Sequence, residues 1–424
     1  MILISNISEI SLPIFKIYLN FSLEMGENWS SLNMLFTELT VITDYLEEGW
    51  KSMDLCAQML IKHLPHINSN PLETTAVCPS FVRRFQNIPY LKHKRVAFNG
   101  DRLLNRFFDY PRYLNANCNG QPNRYFHIVD HTYAQLIYNL PVNRTGVFCH
   151  DIDAFKSIVE PDIEPRPQWF RFMSSRILNG MKKAVVVFYT TDIVRHQIEK
   201  YQLVNSNRLI KAPLGISSEF VARQSVYNVP ISKEAQAVLC RLEGKPYLLH
   251  VGSCIPRKRI DILLDVFAGV RHDFPDLKLV KVGGDWTEGQ WQQIRQFNLA
   301  EHIFHFKGLE RSTLAELYRN AALVLQPSES EGFGLPVIEA LACGAIVVAS
   351  DIPALKEVGC QSAVFCPVAQ VPVWVDTVCQ LLKNPGQAPD IRTRLDHVSQ
   401  YTWSAHAKTI AKTYMNLSLS HRLG

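Results

Sequence analysis

Apolar residues along this chain alternate between two rhythms. Short β-branched runs are followed by longer stretches in which apolar positions recur at helical spacing. The run Leu39–Thr43 predicts a first strand, and Ser52 predicts the N-cap of an amphipathic helix over 52–64. Strands are then expected at 74–78, 125–129, 146–149 and 184–188, with helices at 169–181 and 191–200 separating the later ones. The second half repeats the rhythm more cleanly. Strands are predicted at 247–251, 277–282, 303–306, 322–326 and 346–349, and helices at 260–274, 287–297, 312–320 and 336–343. Strands alternating with helices imply α/β architecture: parallel sheets covered on both faces, with ligands at the C-terminal strand ends.

A polar, mixed stretch over 217–244 separates the two patterns and reads as a hinge. The expected division is an N-terminal extension over 1–33, a first α/β domain over 34–216, the hinge at 217–244, a second α/β domain over 245–398 and a terminal helical segment over 399–424. At 424 residues the chain is too long for one ordinary core, which agrees with two domains.

Composition narrows the function without choosing it. Hydrophobic residues at 47% and charged residues at 20% exclude long disorder. A net charge of +5 permits anionic partners such as nucleotide phosphates. No nucleic-acid-binding module is present, and the densest basic block, Lys92-His93-Lys94-Arg95, reads as a solvated loop or, alternatively, an anionic-surface patch. The ten cysteines are scattered singly with no Cys-x-x-Cys pair, which fits a reducing cytoplasm. No run reaches the ~18 apolar residues of a membrane span. The stretch 12–23 is the nearest approach, interrupted by Lys16 and Asn20, and leaves open a peripheral contact at the inner membrane face.

The residues that can do chemistry fall just after predicted strands. In Pro327-Ser-Glu-Ser-Glu331-Gly-Phe333-Gly334-Leu335-Pro336-Val-Ile-Glu339, the glycines allow close backbone approach to a ligand, and the following helix offers free N–H groups to an anion. Pro336 suits the first helical turn. Glu331 and Glu339 taken singly read as a solvated charge and a helix-dipole partner; together in this setting they read as ligand contacts. In Gly252-Ser253-Cys-Ile-Pro-Arg257-Lys258-Arg259, the cations can stabilise a diphosphate leaving group. His150-Asp151-Ile-Asp153 follows a strand, and His150 has three readings: a cleft histidine, a buried hydrogen-bonded one, or a metal ligand. Asp130 and His131 are acceptor-side candidates, and Gly283-Gly284 forms a loop able to flank a nucleotide.

Glu331, seven intervening residues and Glu339, within Gly-Phe-Gly-Leu-Pro-x-x-Glu-Ala, resemble the Glu-x7-Glu motif of glycosyltransferase family 4. The resemblance covers most of 247–351 and extends loosely back to about Leu39. It implies the GT-B fold, two Rossmann-like α/β domains facing a cleft, with a C-terminal segment after Tyr401-Thr-Trp403 crossing back to the first domain. It also implies a retaining glycosyltransferase moving a hexose-type sugar from a nucleoside-diphosphate sugar to a hydroxyl acceptor: a glycan, a lipid-linked sugar or a small molecule.

By the same resemblance, Glu331 contacts the donor sugar and Glu339 the ribose. Phe333, Gly334, Leu335, Gly252, Ser253 and Gly283 line the donor, Lys258 and Arg257 hold the phosphates, and His150 touches the transferred sugar. No metal or cofactor is expected. This chain has Ser253 where many relatives carry arginine. Gly49 in Glu48-Gly-Trp-Lys-Ser52 is the one position carried over from the family's glycine-rich first loop, on the acceptor side with Asp130, His131 and Asp151. Thr190 and Pro213-Leu-Gly215 stand where the family often has serine and Pro-Asn-Gly, and read as structural. Two other classes fit the same architecture: a sugar-nucleotide epimerase or phosphorylase, and a non-catalytic nucleotide-sugar-binding scaffold.

Overall fold

The structure, a computed structural model, describes residues 38–67, 73–118, 124–221 and 232–423, with side chains to residue 420. The extension expected over 1–33 lies outside the described residues, as does 222–231 of the hinge.

Twelve strands among the described residues form two six-stranded sheets. The first is ordered β2-β1-β3-β4-β5-β6, from β1 (Glu38–Ile42), β2 (Glu73–Val77), β3 (Arg124–Ile128), β4 (Thr145–Cys149), β5 (Val186–Tyr189) and β6 (Leu209–Lys211). The second is ordered β12-β11-β10-β7-β8-β9, from β7 (Tyr247–Val251), β8 (Lys278–Val282), β9 (Ile303–Phe306), β10 (Leu323–Gln326), β11 (Val347–Ser350) and β12 (Val364–Cys366). Every strand pair is parallel. Helices on both faces explain why β1, β4, β5, β10 and β11 are buried along their whole length and read as continuous apolar runs.

Strand order reverses between β1 and β3 in the first sheet and between β7 and β10 in the second. Such reversals open a crevice beyond the strand ends, where ligands of doubly wound sheets bind. The loop 252–259 follows β7 and the loop 327–334 follows β10, so the sequence's two strongest segments meet at one switch point.

Three local expectations are corrected. Ser52 is not an N-cap: the helix Lys51–His63 starts after Trp50, and no side chain caps it. The stretch 217–244 is not wholly linker, because it contains the helix Lys233–Cys240, capped by Ser232 Oγ accepting from the Ala235 amide. The block Lys92–Arg95 is exposed, but its last residue opens the helix Arg95–Leu104. That helix supplies Asp101, whose carboxylate accepts the amides of Arg84, Phe85 and Gln86 and so pins the loop before it.

The terminal helix Trp403–Leu423 crosses back over the first sheet. Tyr414, fully buried, donates its hydroxyl to the Phe126 carbonyl at 2.9 Å. A Cβ at Gly146 would sit 2.3 Å from that hydroxyl, so β4 needs glycine there.

Candidate active site

At the end of β7 the chain passes through Gly252 and Ser253 and makes a 3-10 turn, Pro256–Lys258. Arg259 then takes a left-handed conformation and turns outward onto Asp261 and Glu329. This turn aims Arg257 and Lys258 inward at the loop after β10. Lys258 Nζ donates to Glu331 Oε1 at 2.5 Å and Arg257 Nη1 to Glu331 Oε2 at 2.9 Å. Ser328 Oγ and Gln326 Nε2 also donate to Oε1, at 2.7 and 3.0 Å.

Burial by itself would raise the Glu331 carboxyl. The ammonium of Lys258 and the guanidinium of Arg257 outweigh it and hold the group down at about 2. Glu331 is therefore an ionised acceptor, fixed by four donors. Ser328 and Gln326 were not singled out from sequence; their position one turn of chain before a motif glutamate is the signal that could have found them.

Gly334, at φ +113°, starts the helix Leu335–Ala342 with Pro336 in its first turn. Glu339 lies inside that helix, 8% exposed, with Tyr318 donating to it at 3.4 Å and the Arg311 guanidinium 3.6 Å away as an ion-pair partner. Burial outweighs the Arg311 charge and raises its carboxyl to about 7. Phe333 is buried edge-on against Tyr401, so its ring packs while its backbone stays in the loop.

Across the cleft, Gly332 meets the first domain. Its carbonyl accepts from Thr190 Oγ1 at 2.7 Å and Thr191 Oγ1 at 2.9 Å. A Cβ on Gly332 would lie 2.1 Å from the His150 carbonyl oxygen. Arg257 Nε reaches Asp153 at 3.4 Å, Lys211 pairs with Glu357 at 2.6 Å, and the Asp192 amide donates to Glu357 at 2.8 Å. Thr190 thus holds the two domains together, a role its position in sequence did not disclose.

His150 approaches Gly332 through its backbone. Its ring stacks on Phe148 and its Nε2 contacts the Val129 carbonyl at 2.8 Å, with burial lowering its affinity for a proton. His131 lies 3.2 Å from Asp130 and 3.7 Å from Asp151. Asp130 is further occupied by the Thr132 amide and hydroxyl, and Asp151 by the Asp153 amide. Gly49, at φ +71°, closes the turn Leu46–Glu48 by donating its amide to Leu46. The buried Asp44 was missed from sequence. Burial first, then the Asp130 charge, push its carboxyl well above the usual range.

On the donor side, Gly283 (φ +92°) and Gly284 (φ +58°) lie against the loop 252–254: a Cβ at Gly284 would be 2.6 Å from the Cys254 amide nitrogen. Beneath them lie two further residues not singled out from sequence, His250 and Lys281, both buried. Among the described residues no group of His, Cys, Asp and Glu has the arrangement of a metal site.

Residues 232–397 match the family described as glycosyl transferases group 1. The chain is 27% identical over 235 residues to the O-antigen chain mannosyltransferase B of Escherichia coli, covering 54% of this chain and 59% of that protein. It is also 27% identical over 266 residues to the O-antigen chain mannosyltransferase RfbU of Salmonella typhimurium, covering 62% and 67%. The match to the first of these relatives therefore spans less than two thirds of its length. Among solved structures, the HepE protein of Anabaena in complex with UDP and glucose superposes with a TM-score of 0.65 at 14% identity, over 90% of this chain and 100% of that one. Sucrose-phosphate synthase from Thermosynechococcus elongatus does so at 0.63 and 17% identity, over 91% and 100%. These likenesses and the two facing parallel sheets establish the GT-B fold: two Rossmann-like α/β domains, with the group 1 match carried by the second.

Proposed function

We propose that this protein is a retaining glycosyltransferase of the family 4 type, moving a hexose-type sugar from a nucleoside-diphosphate sugar to a hydroxyl acceptor. The observation that carries this reading is Glu331, held ionised between Lys258 and Arg257 at the β7/β10 switch point, one loop ahead of a free helix N-terminus. An ionised carboxylate there can accept the donor sugar's hydroxyls. The two cations can turn to the diphosphate, where stabilising charge that grows as the glycosidic bond breaks lowers the barrier. With Glu331 tied up by its donors, the acceptor's hydroxyl oxygen bonds to the anomeric carbon on the face from which the diphosphate departs, passing its proton to the leaving phosphate oxygen, which gives retention. Arg257 and Lys258 supply the positive charge that a divalent metal would otherwise bring, so the reaction proceeds without one.

The relatives named as O-antigen chain mannosyltransferases favour a donor of the mannose class and a glycan acceptor in polysaccharide biosynthesis. A lipid-linked acceptor would bring the enzyme to the inner membrane face from the cytoplasm. No helix among the described residues is long and apolar enough to cross a membrane.

The test is a panel of GDP-mannose, UDP-glucose and ADP-glucose, read first by thermal shift and then by sugar transfer with excess EDTA. Binding of one donor and EDTA-resistant transfer with retained anomeric configuration are expected. Glu331→Ala should lower transfer by about a hundredfold or more while nucleotide binding persists. Wild-type turnover in that variant, or activity only with added divalent metal, would reject the mechanism.

A further inference from the structure

Lys281 occupies the interior of β8 with 0% exposure, at a strand position that ordinarily takes an apolar side chain. Burying an ammonium is expensive unless an anion answers it. Among the described residues no carboxylate stands at ion-pair distance from it, and Asp285, four residues on, pairs with Lys307 instead. The Nζ of Lys281 donates to the Gly252 carbonyl at 2.8 Å and to the Gly283 carbonyl, and lies 5.5 Å from the centre of the Trp286 ring. Those carbonyls belong to the loops that follow β7 and β8, so one cation ties together both walls of the crevice. Its cross-strand neighbour, His250, supplies no second charge: burial and then the Lys281 charge lower it to about 3.

The charges around the loops bear on its role. Arg257 and Lys258 share Glu331, and Arg257 also faces Asp153, which pairs with Lys156 as well, so these two inward cations are already engaged by carboxylates. Ser253 contributes no charge. Lys281, behind the loops, is engaged by carbonyls instead.

We propose that Lys281 is a positioning residue for the donor's diphosphate, holding the Gly252 and Gly283 loops in place and supplying the uncompensated positive charge that the nucleotide's phosphates neutralise. This inference rests on the donor-site reading above. Burial lowers the proton affinity of Lys281, and an arriving polyanion raises it again.

Lys281→Met removes both tether and charge; Lys281→Gln removes the charge but keeps an amide able to donate to the carbonyls. UDP, GDP and ADP are compared by calorimetry with uridine, guanosine and adenosine, using whichever pair the wild type binds. In both variants the nucleoside diphosphate should bind about tenfold or more weakly, while the nucleoside changes by less than about twofold. Lys281→Met leaves the Gly252 and Gly283 carbonyls without this donor and should lower unliganded thermal stability, whereas Lys281→Gln should lower it less. Equal losses for diphosphate and nucleoside would make Lys281 a structural tether only, and unchanged diphosphate affinity would also overturn the proposal. A wild type that binds no nucleoside diphosphate would overturn the donor-site reading itself, and this inference with it.

Discussion

Glu339 gives the donor site a pH signature whose sign can be worked out. Its carboxyl titrates at about 7 in the folded protein against an ordinary 4.5, because burial outweighs the Arg311 guanidinium. The folded state therefore holds a proton that the unfolded chain releases. The stabilisation is complete below about pH 4.5 and is lost as pH rises through 7. Urea denaturation of the wild type should show a loss of up to about 3 kcal/mol across that window relative to Glu339→Gln. A parallel pH dependence in the two proteins would remove Glu339 as the source. If Glu339 binds the ribose, as the resemblance implies, its carboxylate is the form that accepts, and nucleoside binding should tighten as pH rises through 7, a trend absent from the Gln variant. At this scale the sequence was informative where chemistry is local. Glu331, Glu339, Arg257 and Lys258 stand in recognisable short segments. Lys281, Arg311, Tyr318 and Asp44 do not, because each acts on a neighbour brought to it by the sheet.

The loop 327–334 was legible as an element because glycine and proline punctuate a strand-to-helix turn. The demand on Gly332 was not legible, since the atom it must clear is the His150 carbonyl in the other domain. Local patterns failed in the same way elsewhere. Ser52 has the right chemistry for a cap, but the helix begins one residue before it. The helix Arg95–Leu104 buries only Ala97 and Asp101, and Asp101 serves amides in the preceding loop, so no wide apolar stripe marks it in the sequence. Gly332→Ala isolates the inter-domain demand. A Cβ 2.1 Å from a carbonyl oxygen forces the cleft apart without disturbing either core. Stability should change by less than about 1 kcal/mol, while kcat/KM falls about tenfold to a hundredfold through lost alignment of the reacting groups. Small-angle scattering should show a larger radius of gyration. Wild-type kcat/KM with unchanged compactness would show that this close approach is dispensable.

Across the whole molecule, the two domains are joined by contacts of very different strength. The helix Trp403–Leu423 buries Trp403, Ala407, Ile410 and Tyr414 in a core cluster shared by both domains. His406 contacts the Pro213 carbonyl at 3.0 Å, and Trp403 donates to Ser217. Near the start of that helix, the Lys211–Glu357 pair is solvent-accessible, and such pairs contribute about 0–1 kcal/mol. The packed helix therefore fixes how the domains meet, and the ion pair adds a weak contact that gives way at small cost. Two substitutions should separate these roles. Tyr414→Phe leaves the Phe126 carbonyl without its buried donor and should lower stability by about 1–3 kcal/mol, with little effect on KM. Lys211→Ala should leave stability within about 0.5 kcal/mol and instead raise the KM for the donor, because the closed arrangement is populated less. Chemical denaturation and steady-state kinetics on the same two proteins decide the matter. If Lys211→Ala proved the more destabilising change, or if Tyr414→Phe altered KM and not stability, the strong contact would lie in the ion pair and not in the buried helix.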